Sequence, residues 1–159
     1  MSAIAEQAAA VPAHALREQV ATIERAFLQL PQVEIRTEHR FIGGMYVREI
    51  TIPAGVFATG ALHLSDHVSI MVRGRMAVMT GAGMQEVAGY NLWTPIAGIK
   101  RVGYAFEETV WLTVHRTDAK TVDQAEAELF ADADLLLSRR LDALPAEQRA
   151  HLEAPCPHS

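Results

Sequence analysis

The sequence predicts a mainly β domain, a sandwich or barrel with a helical segment at each end. Two patterns carry that expectation. Between Val33 and His115, short segments rich in β-branched and aromatic residues alternate with Gly and Pro turns at near-regular spacing, as in an all-β sandwich or barrel. No helical periodicity interrupts them, which argues against a parallel α/β sheet. On either side of this stretch, apolar residues recur at helical steps instead.

The first element expected is a helix over 14–30. Leu16, Val20, Ile23, Phe27 and Leu30 make one apolar stripe, and Pro31 stops it. This helix either packs on the barrel or reaches another subunit. Residues 1–13, Ala-rich with Pro12, are expected to fray. The strands are expected at 45–52, 56–63, 68–72, 75–80, 85–87, 90–94, 101–106 and 109–115. Turns fall at Pro53-Ala54-Gly55, Arg73-Gly74, Gly81-Ala82-Gly83, Pro95 to Gly98 and Glu107-Glu108. Helical spacing returns with Val122, Ala125, Leu129, Ala133, Leu136, Leu137, Leu141 and Leu144. Pro145 is placed to open a second short helix ending near Leu152. The chain divides into an N-terminal extension at 1–32, the barrel at 33–118, and a C-terminal helical segment and tail at 119–159.

Composition narrows the function classes. The 159 residues suit one domain with a sizeable core. A net charge of −5 argues against a nucleic-acid surface, which needs a basic face. No uncharged apolar run is long enough for a membrane span. Met1 to Ala10 lacks the basic and apolar regions of a signal peptide. The lone cysteine, Cys156, can form no internal disulfide. A cytoplasmic location is therefore expected.

The stretch 55–105 carries the chemistry. It holds Gly55, Gly60, His63, His67 and Gly74, then Gly89, Pro95, Gly98 and Arg101. This frame resembles the two motifs of the cupin superfamily, which implies a double-stranded β-helix barrel, or jelly roll. Aligned on Gly74, His67 takes the place of the first motif's Glu. His63 takes that of the second His of its His-x-His pair, and Ala61 that of the first. In the second motif Gly89 and Pro95 keep their spacing, Gly98 comes one residue late, and Arg101 replaces the His. The frame is kept while the four-ligand set is not. The segments 60–67, 100–105 and 110–115 also resemble small cupin-like proteins of tailed bacteriophages.

Each candidate side chain has two readings. His63 and His67 are either metal ligands or polar residues at the barrel mouth. His115 would make a third imidazole if it faced inward. A Glu107-Glu108 hairpin that pairs Phe106 with Thr109 turns Val110, Leu112 and Val114 inward and His115 outward. A one-residue change of loop reverses this. Lys100, Arg101 and Tyr104 suit a small anionic ligand, since Arg binds carboxylate or phosphate with two parallel hydrogen bonds. The other reading of Arg101 is a salt bridge to Glu49, Glu86 or Asp66. Trp93, Trp111, Tyr104 and Phe57 read as core or interface packing.

Two functions follow. The resemblance implies a non-catalytic, phage-type accessory or virion-associated protein with a degenerate site. The alternative is a metal-dependent small-molecule enzyme, an isomerase or dioxygenase type, with one divalent ion (Zn, Fe, Mn or Ni) on His63 and His67. A metal-free binding module is a third possibility. A homo-oligomer or larger assembly is expected, because an open barrel must cover its edges.

Overall fold

In a computed structural model of the chain, residues 11–136 are described. Helix α1 (Ala13–Phe27) precedes β1 (Arg36–Ile42), β2 (Met45–Ile52), β3 (Phe57–Thr59) and β4 (Val68–Arg73). Next come β5 (Arg75–Thr80), β6 (Gly83–Ala88), β7 (Asn91–Trp93), β8 (Val102–Ala105) and β9 (Thr109–Arg116). Helix α2 (Val122–Leu129) and a 3₁₀ turn at Ala133–Leu135 complete the described chain. The expected second C-terminal helix, Cys156 and the start of the Ala-rich segment lie outside these residues.

The strands form two antiparallel sheets, ordered β1-β2-β9-β4-β7 and β3-β8-β5-β6. The chain changes sheet at every connection except the β1–β2 and β5–β6 hairpins. That order over eight strands is a jelly roll of two Greek keys, the double-stranded barrel expected. β1 adds to one edge and was not foreseen, since its charged sequence hides it. Its signal is Gly43-Gly44, both at positive φ (57° and 74°), in a two-residue turn that pairs Ile42 with Met45.

The expected hairpin between β8 and β9 does not form. β8 pairs with β3 and β5, whereas β9 lies between β2 and β4 in the other sheet. Glu107-Glu108 therefore crosses between sheets. The inward row of β9 is Thr109, Trp111, Thr113 and His115. Val110, Leu112 and Val114 face outward, opposite Thr51, Glu49 and Val47 of β2. This corrects the hairpin register: His115 is fully buried.

The core between the sheets contains Ile52, Met71, Met76, Val78, Val87 and Ala105, with Trp93 and Trp111 packed against them. Gly74, the last glycine of the first motif, follows a register shift in β4 and has φ 109°. A Cβ there would come within 2.6 Å of the Thr109 Cα, so the close crossing of β4 and β9 requires glycine.

Helix α1 packs on its own barrel. Leu16 and Val20 bury against Val102, while Leu30 is exposed. Glu24 lies on the buried face and accepts a 2.8 Å hydrogen bond from the Lys100 Nζ. Lys100 also pairs with Asp132. One buried ammonium thus ties α1, the β7–β8 loop and the C-terminal segment together. The C-terminal stripe does not form one helix. It stops at Leu129, and Phe130 adopts extended backbone (φ −125°, ψ 126°).

Removing one partner from a buried ionic cluster leaves uncompensated charge, at a cost of about 3–5 kcal/mol. Lys100→Met is therefore expected to destabilise the protein by about that amount in urea unfolding. A loss under about 1 kcal/mol, the range of exposed pairs, would show that the cluster does not hold the ends in place.

Candidate metal centre

Three histidines, two from the β3–β4 connection and one from β9, converge inside the barrel. His115 comes from the inward row of β9, directly opposite Tyr46 of β2. His67 immediately precedes β4. His63 lies between β3 and β4, where it forms a single antiparallel bridge with Phe130. His63 and His67 are thus on a bend, not on one continuous strand.

The C-terminal segment holds that bend. The Leu64 N–H donates to the Leu129 carbonyl (2.8 Å), and the Ala131 N–H to the Leu62 carbonyl (2.9 Å). Asp132 Oδ1 accepts from the Leu62 N–H at 2.8 Å. From the other side, the Gly98 N–H donates to the His63 carbonyl at 2.9 Å. Gly98, displaced by one residue from the cupin motif, still reaches the site.

His63 Nδ1 lies 3.2 Å from His115 Nε2. One ligand nitrogen from each of the three rings falls within 4.8 Å of the others. Nitrogens about 2.0–2.1 Å from a tetrahedral ion are about 3.3 Å apart, so the closest pair is already near that spacing. Each ring is stacked on another, with centroids 3.9 Å apart for His63 and His67 and 4.6 Å for His67 and His115. Phe130 sets its ring edge-on to His63 and His115, at 5.0 and 5.6 Å. His67 Nδ1 lies 3.1 Å from the Ser65 carbonyl. That bond places the proton on Nδ1 and leaves Nε2 as the free donor atom.

Electrostatics keeps all three rings neutral, the form that binds metal. Burial lowers the His63 pKa to about 2, with His67, His115, Arg48 and Arg101 adding to the effect. Burial, His67 and Arg48 lower that of His115 to about 4. His67 is lowered mainly by burial, and its bond to Ser65 works the other way. These residues can hold a metal ion.

Below the rings is a cavity of about 120 Å³. Arg48, Ser69, Arg101 and Thr113 line it beside His63 and His67, and Ile50, Ile52, Met76, Val78 and Trp111 form its apolar part. Arg101, in the place of a cupin histidine, therefore lines the cavity. Lys100 does not, being committed to Glu24 and Asp132. Nor does Tyr104, which packs against Phe57 and Phe106. Phe57 also meets Phe27 of α1. Glu49 faces outward to Arg40, and Asp66 accepts from the Ala97 N–H.

Sequence reasoning missed Arg48 and Phe130. Arg48 had a signal: it is the one charged residue in the alternating row Tyr46, Arg48, Ile50, Ile52. Phe130 had none beyond being aromatic.

The sequence matches no protein-family model and no curated protein. Solved structures align with the chain at low identity and at TM-scores below 0.5. KdgF from Halomonas sp. aligns at TM-score 0.47 and 11% identity, over 59% of this chain and 88% of that one. A cupin superfamily protein from Desulfitobacterium hafniense gives 0.45 and 6%, over 56% and 83%. A cupin domain from Bordetella pertussis gives 0.43 and 16%, over 55% and 98%. At these scores the neighbours bring no activity with them, and the jelly-roll assignment rests on the strand order. No helix among the described residues is long and apolar enough to cross a membrane.

The lowered histidines predict acid sensitivity in the metal-free protein. The unfolded chain takes up protons below its ordinary histidine pKa of 6.5, while the folded rings do not. Stability is complete above pH 6.5 and falls as pH drops toward 4. Each such ring contributes on the order of 1 kcal/mol per pH unit. Urea unfolding between pH 7 and 4.5 measures it, and His115→Phe should flatten the slope. A slope unchanged by that substitution contradicts the assignment.

Proposed function

We propose that this chain is a metal-dependent small-molecule enzyme, with one divalent ion held by His63, His67 and His115. The carrying observation is the convergence of three neutral imidazoles beside a cavity within a jelly roll. Three protein ligands leave coordination positions open, as catalytic sites require. Zinc, iron, manganese and nickel all accept imidazole. When bound, such an ion polarises a substrate oxygen or activates water or dioxygen, which suits an isomerase or a dioxygenase.

The protein's own residues supply the rest. Ser65 fixes the His67 tautomer, and the 129–132 segment fixes the His63 backbone. Phe130 covers two of the rings and excludes water from that side. Apolar residues shape the far end of the cavity. The expectation of a non-catalytic accessory role came from lost motif ligands. His115, which lies outside both motifs, restores a three-donor set, so the metal-dependent reading has the more direct support.

Protein purified without a histidine tag is expected to carry, or to take up, close to one divalent ion per chain. His115→Ala should weaken metal binding by at least about tenfold, as even loss of an outer-sphere partner does. Elemental analysis and metal titration check both. Failure to take up zinc, iron, manganese or nickel, or uptake unchanged in His115→Ala and His63→Ala, overturns the proposal.

A further inference from the structure

The inner face of the larger sheet is organised in rungs. Tyr46 and His115 form one rung. Two residues along, Arg48 of β2, Thr113 of β9 and Ser69 of β4 form the next. Beyond it come Ile50, Trp111 and Met71. Successive rungs are about 7 Å apart along a strand. The cavity thus runs from imidazoles through a cationic, hydroxylic rung to an apolar floor.

The middle rung holds buried donors without partners. The Arg48 Nε and the Thr113 hydroxyl are both shielded from solvent and make no hydrogen bond. Ser69 is already engaged, accepting from the Trp111 indole N–H at 2.7 Å. A buried guanidinium nitrogen left unpaired costs stability. Burial also holds the Arg48 guanidinium below its ordinary basicity, and Glu126 and Tyr46 offset this only in part. No carboxylate lies within ion-pair distance of Arg48 among the described residues. Both side chains line the cavity, and cationic and hydroxylic donors on a cavity wall favour an acceptor with negative charge.

We infer that the cavity takes a small monocarboxylate, its carboxylate held by Arg48 and Thr113 and its alkyl tail on Ile50, Trp111, Met76 and Val78. The volume of about 120 Å³ suits a short organic acid. The apolar floor favours a carboxylate with a hydrocarbon tail over a free phosphate, which is hydrated on every side. Arg101 on the cavity wall adds positive potential from the other sheet's side. As a substrate class the inference rests on the metal-centre reading, because it places the carboxylate one rung from the imidazoles. The carboxylate end of the acid would then face the histidines, with its tail directed away from them.

The test is calorimetric titration of purified protein, with metal content measured on the same samples. The probes are isovalerate, its uncharged analogue isovaleramide, and inorganic phosphate. Isovalerate is expected to bind at least about tenfold more tightly than the amide, the size of one charge-assisted hydrogen bond. Arg48→Met should remove that preference at unchanged metal content, and Thr113→Val should weaken isovalerate severalfold. Thr113→Val changes one hydroxyl, so it keeps the test open if Arg48→Met does not fold. Equal binding of acid and amide, or isovalerate affinity unchanged in the variants, overturns the inference. So does tighter binding of phosphate than of isovalerate. Metal-loaded protein that ignores isovalerate removes this inference alone. Protein that binds isovalerate through Arg48 yet never takes up metal removes the proposed enzyme and leaves the carboxylate site standing.

Discussion

Side chains alternate between the two faces of a strand, and β9 runs through the middle of its sheet. Everything at the site follows from which face of β9 is inside. With β2 on one side and β4 on the other, Thr109, Trp111, Thr113 and His115 all point into the barrel. A slip of one residue would turn Val110, Leu112 and Val114 inward and expel the histidine. The apolar outer row would make that slip attractive if β9 stood alone. Pairing on both sides prevents it, as does Gly74, which lets β4 come close to Thr109.

The second requirement is closure of the barrel mouth. His63 has no strand of its own, and its position is borrowed from the chain's C-terminal segment through the bridge to Phe130. That segment is in turn anchored by Asp132, which serves both the Leu62 N–H and Lys100. Lys100 reaches on to Glu24 of α1, so the two terminal segments are tied to the bend that carries His63. The helical extensions, for which the sequence alone left packing on the barrel and assembly both open, thus have a role within the protomer. Phe130 turns that structural contact into a chemical one, because it shields the imidazoles and lowers the polarity around them.

Much of the frame could be read from the chain. The limits of β2 and β5 follow directly from alternation and flanking turn residues, and Gly74, Gly89, Pro95 and Gly98 indicated the jelly roll. His63 and His67 were visible as candidates. What could not be read was strand partnership. Glu107-Glu108 has the length of a hairpin turn, and nothing local says that the chain changes sheets there. The face of His115 therefore stayed open between two registers, and Lys100 and Tyr104 were grouped with Arg101. Lys100 proved to be an internal counter-ion for two carboxylates distant in sequence. Arg48 was legible in principle, as a charge in an apolar row, but only once that row was known to face inward.

On the function proposed above, three imidazoles, and not the four ligands of the cupin motifs, form a single metal site in this barrel. X-ray absorption spectroscopy of the zinc-loaded protein tests it most directly. Nitrogen is expected at about 2.0–2.1 Å from the ion, with the outer scattering of three imidazoles, and loss of about one-third of that scattering in His115→Ala. A first shell of oxygen alone, or imidazole scattering unchanged by that substitution, would contradict it.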